Sequence, residues 1–242
     1  MKIMKKIIKK HRHLVFMDFE GTQYSHELIA FGAVKVTLDK NYNIIRVNKG
    51  IKYYVKAKNK IGSFVKKLTS IDEEILEKQG ITFKEALVKI KKYCGLPFAK
   101  DTSFCFFGTH DLRILSKSYE WSPDADKDIL KVITKNAIDL SAVLAQFVRD
   151  DRNNPLSLIH GLELFDIPLS GEPHDPLIDS IHLMLLYKGM MNNPDKLYSE
   201  YLKVLPKQKV FPQPVKAVIN KLIDGNTVTP DDFKKFIKDF IG

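Results

Sequence analysis

The chain has 242 residues, 44% hydrophobic and 28% charged, which excludes a disordered or low-complexity protein. Its 39 Lys and Arg against 29 Asp and Glu give a net charge of +10. Its two cysteines, Cys94 and Cys105, exclude a disulfide scaffold and a four-cysteine zinc site.

No run of about 18 apolar residues offers a membrane span. Lysine interleaves the first ten residues too densely for the apolar region of a signal peptide. A cytoplasmic protein with no membrane partner is therefore expected. The positive charge is segregated. Residues 1–12 carry Lys2, Lys5, Lys6, Lys9, Lys10 and Arg12 with no acid, and residues 40–71 carry eight lysines and Arg46, again with no acid. Together these exceed the net +10, so the rest of the chain is net acidic. Such basic stretches suit a phosphate backbone and equally suit a solvated face.

Residues 13–19 read as a buried strand ending at Gly21, residues 27–37 as a second strand, and residues 44–55 as a third after a turn over 39–43. Ser70 with Glu73 three residues on predicts a capped short helix through Lys78. Thr82 with Glu85 predicts another, running to about Tyr93. Residues 103–107 form a short apolar strand, and a helix follows through Leu115. Residues 129–139 lead into an amphipathic helix over 140–148, and further helices fit 156–165 and 174–190. Pro206, Pro212 and Pro214 punctuate a connecting stretch, and Thr229 caps a last helix that has Pro230 in its first turn. This order predicts a mixed α/β fold with parallel later strands.

Three short motifs carry the chemistry. Asp18 and Glu20, two apart on the first strand, point to one face; burial there would be costly without a neutralising cation, and an exposed strand end would suit them as well. Asp111 follows Gly108 after the fourth strand, where a carboxylate is also a good helix cap. His174 lies near the start of the last long helix, with Asp179 about one and a half turns further in. His26, His110, His160 and His182 lack comparable placement and read as surface or core histidines.

Together and in this order, Asp18-x-Glu20, Gly108-x-x-Asp111 and His174-x4-Asp179 resemble the DEDDh exonucleases, the DnaQ-like branch of the ribonuclease H-like fold. Within that branch, residues 67–71 resemble the Leu-Thr-Gly-Ile loop, residues 137–140 the strand before the next helix, and residues 156–174 the approach to the histidine. The Asp18-Phe-Glu20-x-Thr22 form is similar to the subgroup containing KapD and the enhancer-of-RNAi type exonucleases. The resemblance covers residues 13–190. It departs from the family at Ser70, which replaces the loop glycine, and at Pro176 and Ser180, where alanines are usual.

The resemblance implies a mixed five-stranded sheet flanked by helices over 13–192, after a basic arm (1–12) and before a helical C-terminal extension (193–242). It implies a 3′–5′ exonuclease that releases nucleoside 5′-monophosphates from single-stranded ends, RNA slightly favoured over DNA. Asp18, Glu20, Asp111 and Asp179 would hold two divalent ions, Mg²⁺ or Mn²⁺, and His174 would act as general base. Gly21 and Thr22 would approach the terminal 3′-hydroxyl, while Tyr24 and Ile71 are candidates to stack on the terminal base. The alternative is a catalytically idle nucleic-acid-binding or regulatory module on the same fold. The C-terminal extension is a candidate dimer or partner surface.

Overall fold

The computed structural model describes residues 7–8, 11–95 and 101–241. Most of the basic arm, including Lys2, Lys5, Lys6, Lys9 and Lys10, lies outside them. Its organising element is β1 (His13–Gly21), whose side chains alternate between two cores. Leu14 and Phe16 face one core, and Val15, Met17 and Phe19 face the other. β2 (Leu28–Leu38) runs antiparallel to β1, with Asp18 opposite Gly32, and β5 (Thr102–Phe106) runs parallel to β1 on its other side. β6 (Ala137–Asp139) extends the sheet beyond β5, again parallel.

The single strand expected over 44–55 is two strands, so the sheet has six rather than five. β3 (Ile44–Val47) and β4 (Ile51–Tyr54) both pair with β2, and residues 48–50 step between them. Gly50 fits this step because a Cβ there would lie 2.5 Å from Leu177 Cδ1. The sequence pattern also passes over α1 (Ser63–Thr69). Ser70 is the left-handed residue closing that helix, at φ 57°, not the cap of the next. α2 (Glu73–Gln79) is capped instead by Asp72, which accepts from the Ile75 N–H at 2.8 Å.

One sheet face is covered by α3 (Phe83–Cys94), α4 (His110–Trp121) and α5 (Lys127–Lys135), with Phe83, Leu87, Ile90, Ile114 and Ile133 in the shared core. The Thr82–Glu85 capping box opens α3 as expected. The other face is covered by α6 (Leu140–Leu144), α7 (Leu158–Leu164) and α8 (Pro176–Asn192). Leu183, Leu186 and Met190 of α8 enter that core, and the Phe16 and Tyr187 rings sit 5.7 Å apart. A close backbone approach sets where α8 lies. A Cβ on Gly32 would stand 2.1 Å from the Pro176 carbonyl, so only glycine lets the start of α8 rest on β2.

Beyond α8 come α9 (Pro194–Val204), α10 (Gln213–Ile223) and α11 (Pro230–Ile241). Lys221 and Asp232 join the last two at 2.7 Å, and the Thr229 hydroxyl caps α11 by accepting from the Asp232 N–H. Among the described residues no helix is long and apolar enough to cross a membrane.

Candidate active site

Asp18 and Glu20 continue the Leu14–Phe16 face of β1 beyond the point where apolar packing stops. They therefore stand under the first turns of α8. Asp179 lies one turn before the buried Leu183 and so projects from the same stripe of that helix toward the strand. Asp111 comes from the next element across. β5 ends at Phe106, the chain turns through Gly108 at φ 89°, and Asp111 falls in the first turn of α4. Its Oδ1 accepts the Phe19 N–H at 2.8 Å, which ties it to β1 between the two strand acids. The Asp139 carboxylate steadies the Gly108 turn by accepting its N–H at 2.9 Å.

Four carboxylates thus converge where water is scarce. Burial pushes Asp18 well above the carboxylate range, and the charges of Asp111, Glu20, Asp179 and Asp175 push the same way. Glu20 is raised to about 8 by burial and by Asp179 and Asp111, although Lys52 opposes this. Asp111 is raised to about 7 by burial, against the two backbone N–H groups that stabilise its anion. Asp179 is also raised by burial, partly offset by a hydrogen bond from His182.

His174 lies outside the helix expected to contain it. α8 begins at Pro176 with Asp175 as its cap, and His174 sits in the preceding loop in the left-handed region, φ 59°. Ligand atoms of Glu20, His174 and Asp179 lie within 4.8 Å of one another, close enough to share a cation. The loop is clamped from both sides of Asp175. Its carboxylate accepts from the N–H groups of Leu177 and Ile178 and pairs with Lys52 of β4 at 2.8 Å. These partners outweigh burial and hold its carboxyl below the usual range.

Two cavities meet at this cluster, sharing Asp18, Phe107, His174 and Asp179. One, of about 390 Å³, runs past Gly21 and Thr22 toward α1. The other, of about 340 Å³, is walled by Leu158, Ile159, Leu169 and Pro173. The substrate residues expected from the sequence fare unequally. Gly21 and Thr22 line the first cavity, but Thr22 is buried and its hydroxyl accepts from the Glu27 N–H and bonds Ser25, knotting the turn. Tyr24 is 80% exposed and stands outside the lining.

Ile71 requires a correction. It is 3% exposed and packed with Ile29, Ala30, Ile61 and Leu76, so it cannot stack on a base. Besides Phe19, Val65 and Phe107, the apolar lining of the cavity includes Phe64 and Leu68 of α1. They lie one turn apart in a helix with no buried residue, and that unburied i, i+4 pair in a lysine-rich stretch is the signal that could have found them. His182 also belongs to the site. It is buried, its Nε2 accepts from the Ser170 N–H at 3.4 Å, and its Nδ1 therefore carries the proton that faces Asp179 Oδ1 at 3.4 Å.

No protein-family model matches the chain, and no curated protein matches it in sequence. Its likenesses are to solved structures. The nuclease domain of 3′hExo, a DEDDh family member bound to rAMP, aligns with a TM-score of 0.61 and 21% identity over 76% of this chain and 93% of that one. Cell-death related nuclease 4 aligns at 0.60 and 19%, over 76% of this chain and 64% of that one. E. coli Exonuclease I, in complex with an oligonucleotide, aligns at 0.57 and 15%, and the chain spans only 44% of its length. These likenesses show that the chain has the ribonuclease H-like fold of those exonucleases.

Proposed function

We propose that this chain is a metal-dependent 3′–5′ exonuclease of the DEDDh type, nearest the KapD and enhancer-of-RNAi subgroup, acting on single-stranded RNA or DNA ends. One observation carries the reading. Four carboxylates from β1, α4 and α8 are gathered where burial raises each of them and neighbouring carboxylates add to the rise, an arrangement that a globular fold tolerates poorly unless cations neutralise it.

The donor set fits Mg²⁺ or Mn²⁺, which prefer carboxylate oxygen. Asp18, Glu20, Asp111 and Asp179 would hold such ions, which when bound supply charge neutralisation at a phosphodiester and an acidified water. The chain's own residues do the rest. His174 takes the proton from the attacking water, and the Lys52–Asp175 pair keeps its loop over the acids. His182 fixes the orientation of Asp179 through its Nδ1–H. Phe64 and Leu68 offer an apolar wall to a terminal base whatever its identity. RNA is placed slightly ahead of DNA on the likeness to a 3′-exonuclease whose structure concerns 3′-end specific recognition of a histone mRNA stem-loop.

The test is to incubate 5′-labelled single-stranded RNA and DNA with wild type and Asp18→Asn, with Mg²⁺, Mn²⁺ or EDTA. Stepwise shortening from the 3′ end, with nucleoside 5′-monophosphate released and no activity in EDTA or in the variant, is the expected result. Intact substrate with wild type in both metals, or equal cleavage by Asp18→Asn, would refute the assignment.

A further inference from the structure

A larger cavity lies elsewhere, at the seam between the α/β layers and the C-terminal helices. It encloses about 600 Å³ and shares no lining residue with the carboxylate site. That volume is ample for a nucleotide-sized ligand. One wall is the segment after α6, with Gln146, Phe147 and Arg149. Tyr201 of α9 lines it next to Phe147, as do Lys207 and Lys209 in the stretch that follows.

Its chemistry is one-sided. Three cations line it and no acid does. Among the described residues, no carboxylate lies within ion-pair distance of Arg149, Lys207 or Lys209, although twelve other lysines are paired in this way. Arg149 donates to the Asn153 carbonyl at 3.0 Å, which braces the guanidinium and leaves most of its five donors to face a ligand. Beside these cations stands an aromatic pair, Phe147 and Tyr201, with ring centroids 5.8 Å apart and planes inclined at 60°. The Gln146 and Gln208 amides complete the lining with groups able to meet a base edge.

Unpaired cations beside a supported aromatic ring are the two parts that a nucleotide needs, one for its phosphate and one for its base. We propose that this cavity is a second nucleotide-binding site, with the phosphate on Arg149, Lys207 and Lys209 and the base against Tyr201. The unit bound is one nucleotide, either free or as a link in a single strand.

Binding in EDTA tests this without reference to catalysis, so its outcome is separate from that of the exonuclease assay. The probes are a fluorescein-labelled oligouridylate followed by anisotropy, and AMP followed by calorimetry, each over a range of salt. The proteins are full-length wild type, the triple variant Arg149→Gln, Lys207→Gln, Lys209→Gln, and Tyr201→Leu, which keeps apolar contact with Phe147 while removing the ring. The triple variant should bind more weakly and lower the salt slope for the strand by about 2. Tyr201→Leu should weaken binding roughly 5- to 100-fold and leave the slope unchanged. Loss confined to the oligonucleotide identifies a strand as the source, and loss confined to AMP a free nucleotide. Wild-type binding of both probes by all variants overturns the proposal. So does weakening by the triple variant alone, which would make the patch an ordinary basic face.

Discussion

Replacing Asp18 by Asn should stabilise the metal-free protein while abolishing its activity. Glu20 ordinarily titrates near 4.5 and is raised to about 8 in the fold, while Asp18 and Asp111 are raised beside it. An acid raised on folding contributes stability that is fully present below its unfolded pKa. That stability is lost as pH rises through the folded value, here between about 4.5 and 8. At pH 8 the metal-free cluster is therefore at its least stable. A shift of 3.5 for Glu20 corresponds to about 5 kcal/mol at most. Removing one of four mutually repelling charges relieves a fraction of that, about 2 kcal/mol, or roughly 4–8 °C in Tm for a chain of this size. The assay is thermal melting of wild type and Asp18→Asn in EDTA, at pH 5 and pH 8, then with Mg²⁺ or Mn²⁺ added. Asn should melt higher at pH 8, and the gap should narrow at pH 5, because the penalty for a raised acid grows from its unfolded pKa upward. Metal should raise wild type by about 2.7 kcal/mol at a hundredfold excess over Kd and the variant by less. Equal melting in EDTA at pH 8, or a gap at pH 5 as large as that at pH 8, would refute the buried-repulsion argument.

Other perturbations probe the scaffold around the site. Gly32→Ala drives a Cβ against the Pro176 carbonyl and should cost about 3 kcal/mol by denaturant titration, with activity lost as the start of α8 shifts. A melting point within a degree or so of wild type would mean that α8 does not rest on β2 as described. His182→Phe keeps the buried volume but removes the Nδ1–H facing Asp179, so kcat should fall at least tenfold and His182→Gln should recover part of it. Equal rates for both variants would make His182 a packing residue only. In the lysine-rich segment, Lys56 and Lys66 are held by Glu77 and Glu73, and Lys58 donates to the Trp121 carbonyl. Neutralising Lys60 and Lys67, which pair with no carboxylate among the described residues, should reduce the salt slope for single-stranded binding by about 1.4, whereas neutralising Lys56 and Lys66 should change it little.

How far the sequence could be read depended on the range of the interactions involved. Alternation along residues 13–21 places Asp18 and Glu20 on one face, because the period of a strand is a property of the backbone. The Thr82–Glu85 and Thr229 caps were equally legible, since each is closed within three residues. The four acids and His174 could be singled out by the family resemblance of their three motifs taken together, since each motif alone also suits an ordinary strand end or helix cap. That Asp111 is tied to β1 through the Phe19 N–H could not, because 92 residues separate the partners.

Ile71 shows the same limit. As a sequence position it suits a base-stacking loop, but its burial follows from Ile61 and Leu76 closing over it. Ser70 reads as a cap until the preceding short helix, which buries none of its residues, is seen to end there. The sequence by itself determined the course of β1 and β2, the Thr82 and Thr229 caps and the list of chemically equipped side chains, all set by contacts local to a few residues. Only the tertiary structure decided which of them share a site, because β1, α4 and α8 meet through a glycine crossing, a buried N–H and a clamped loop, contacts between segments far apart along the chain.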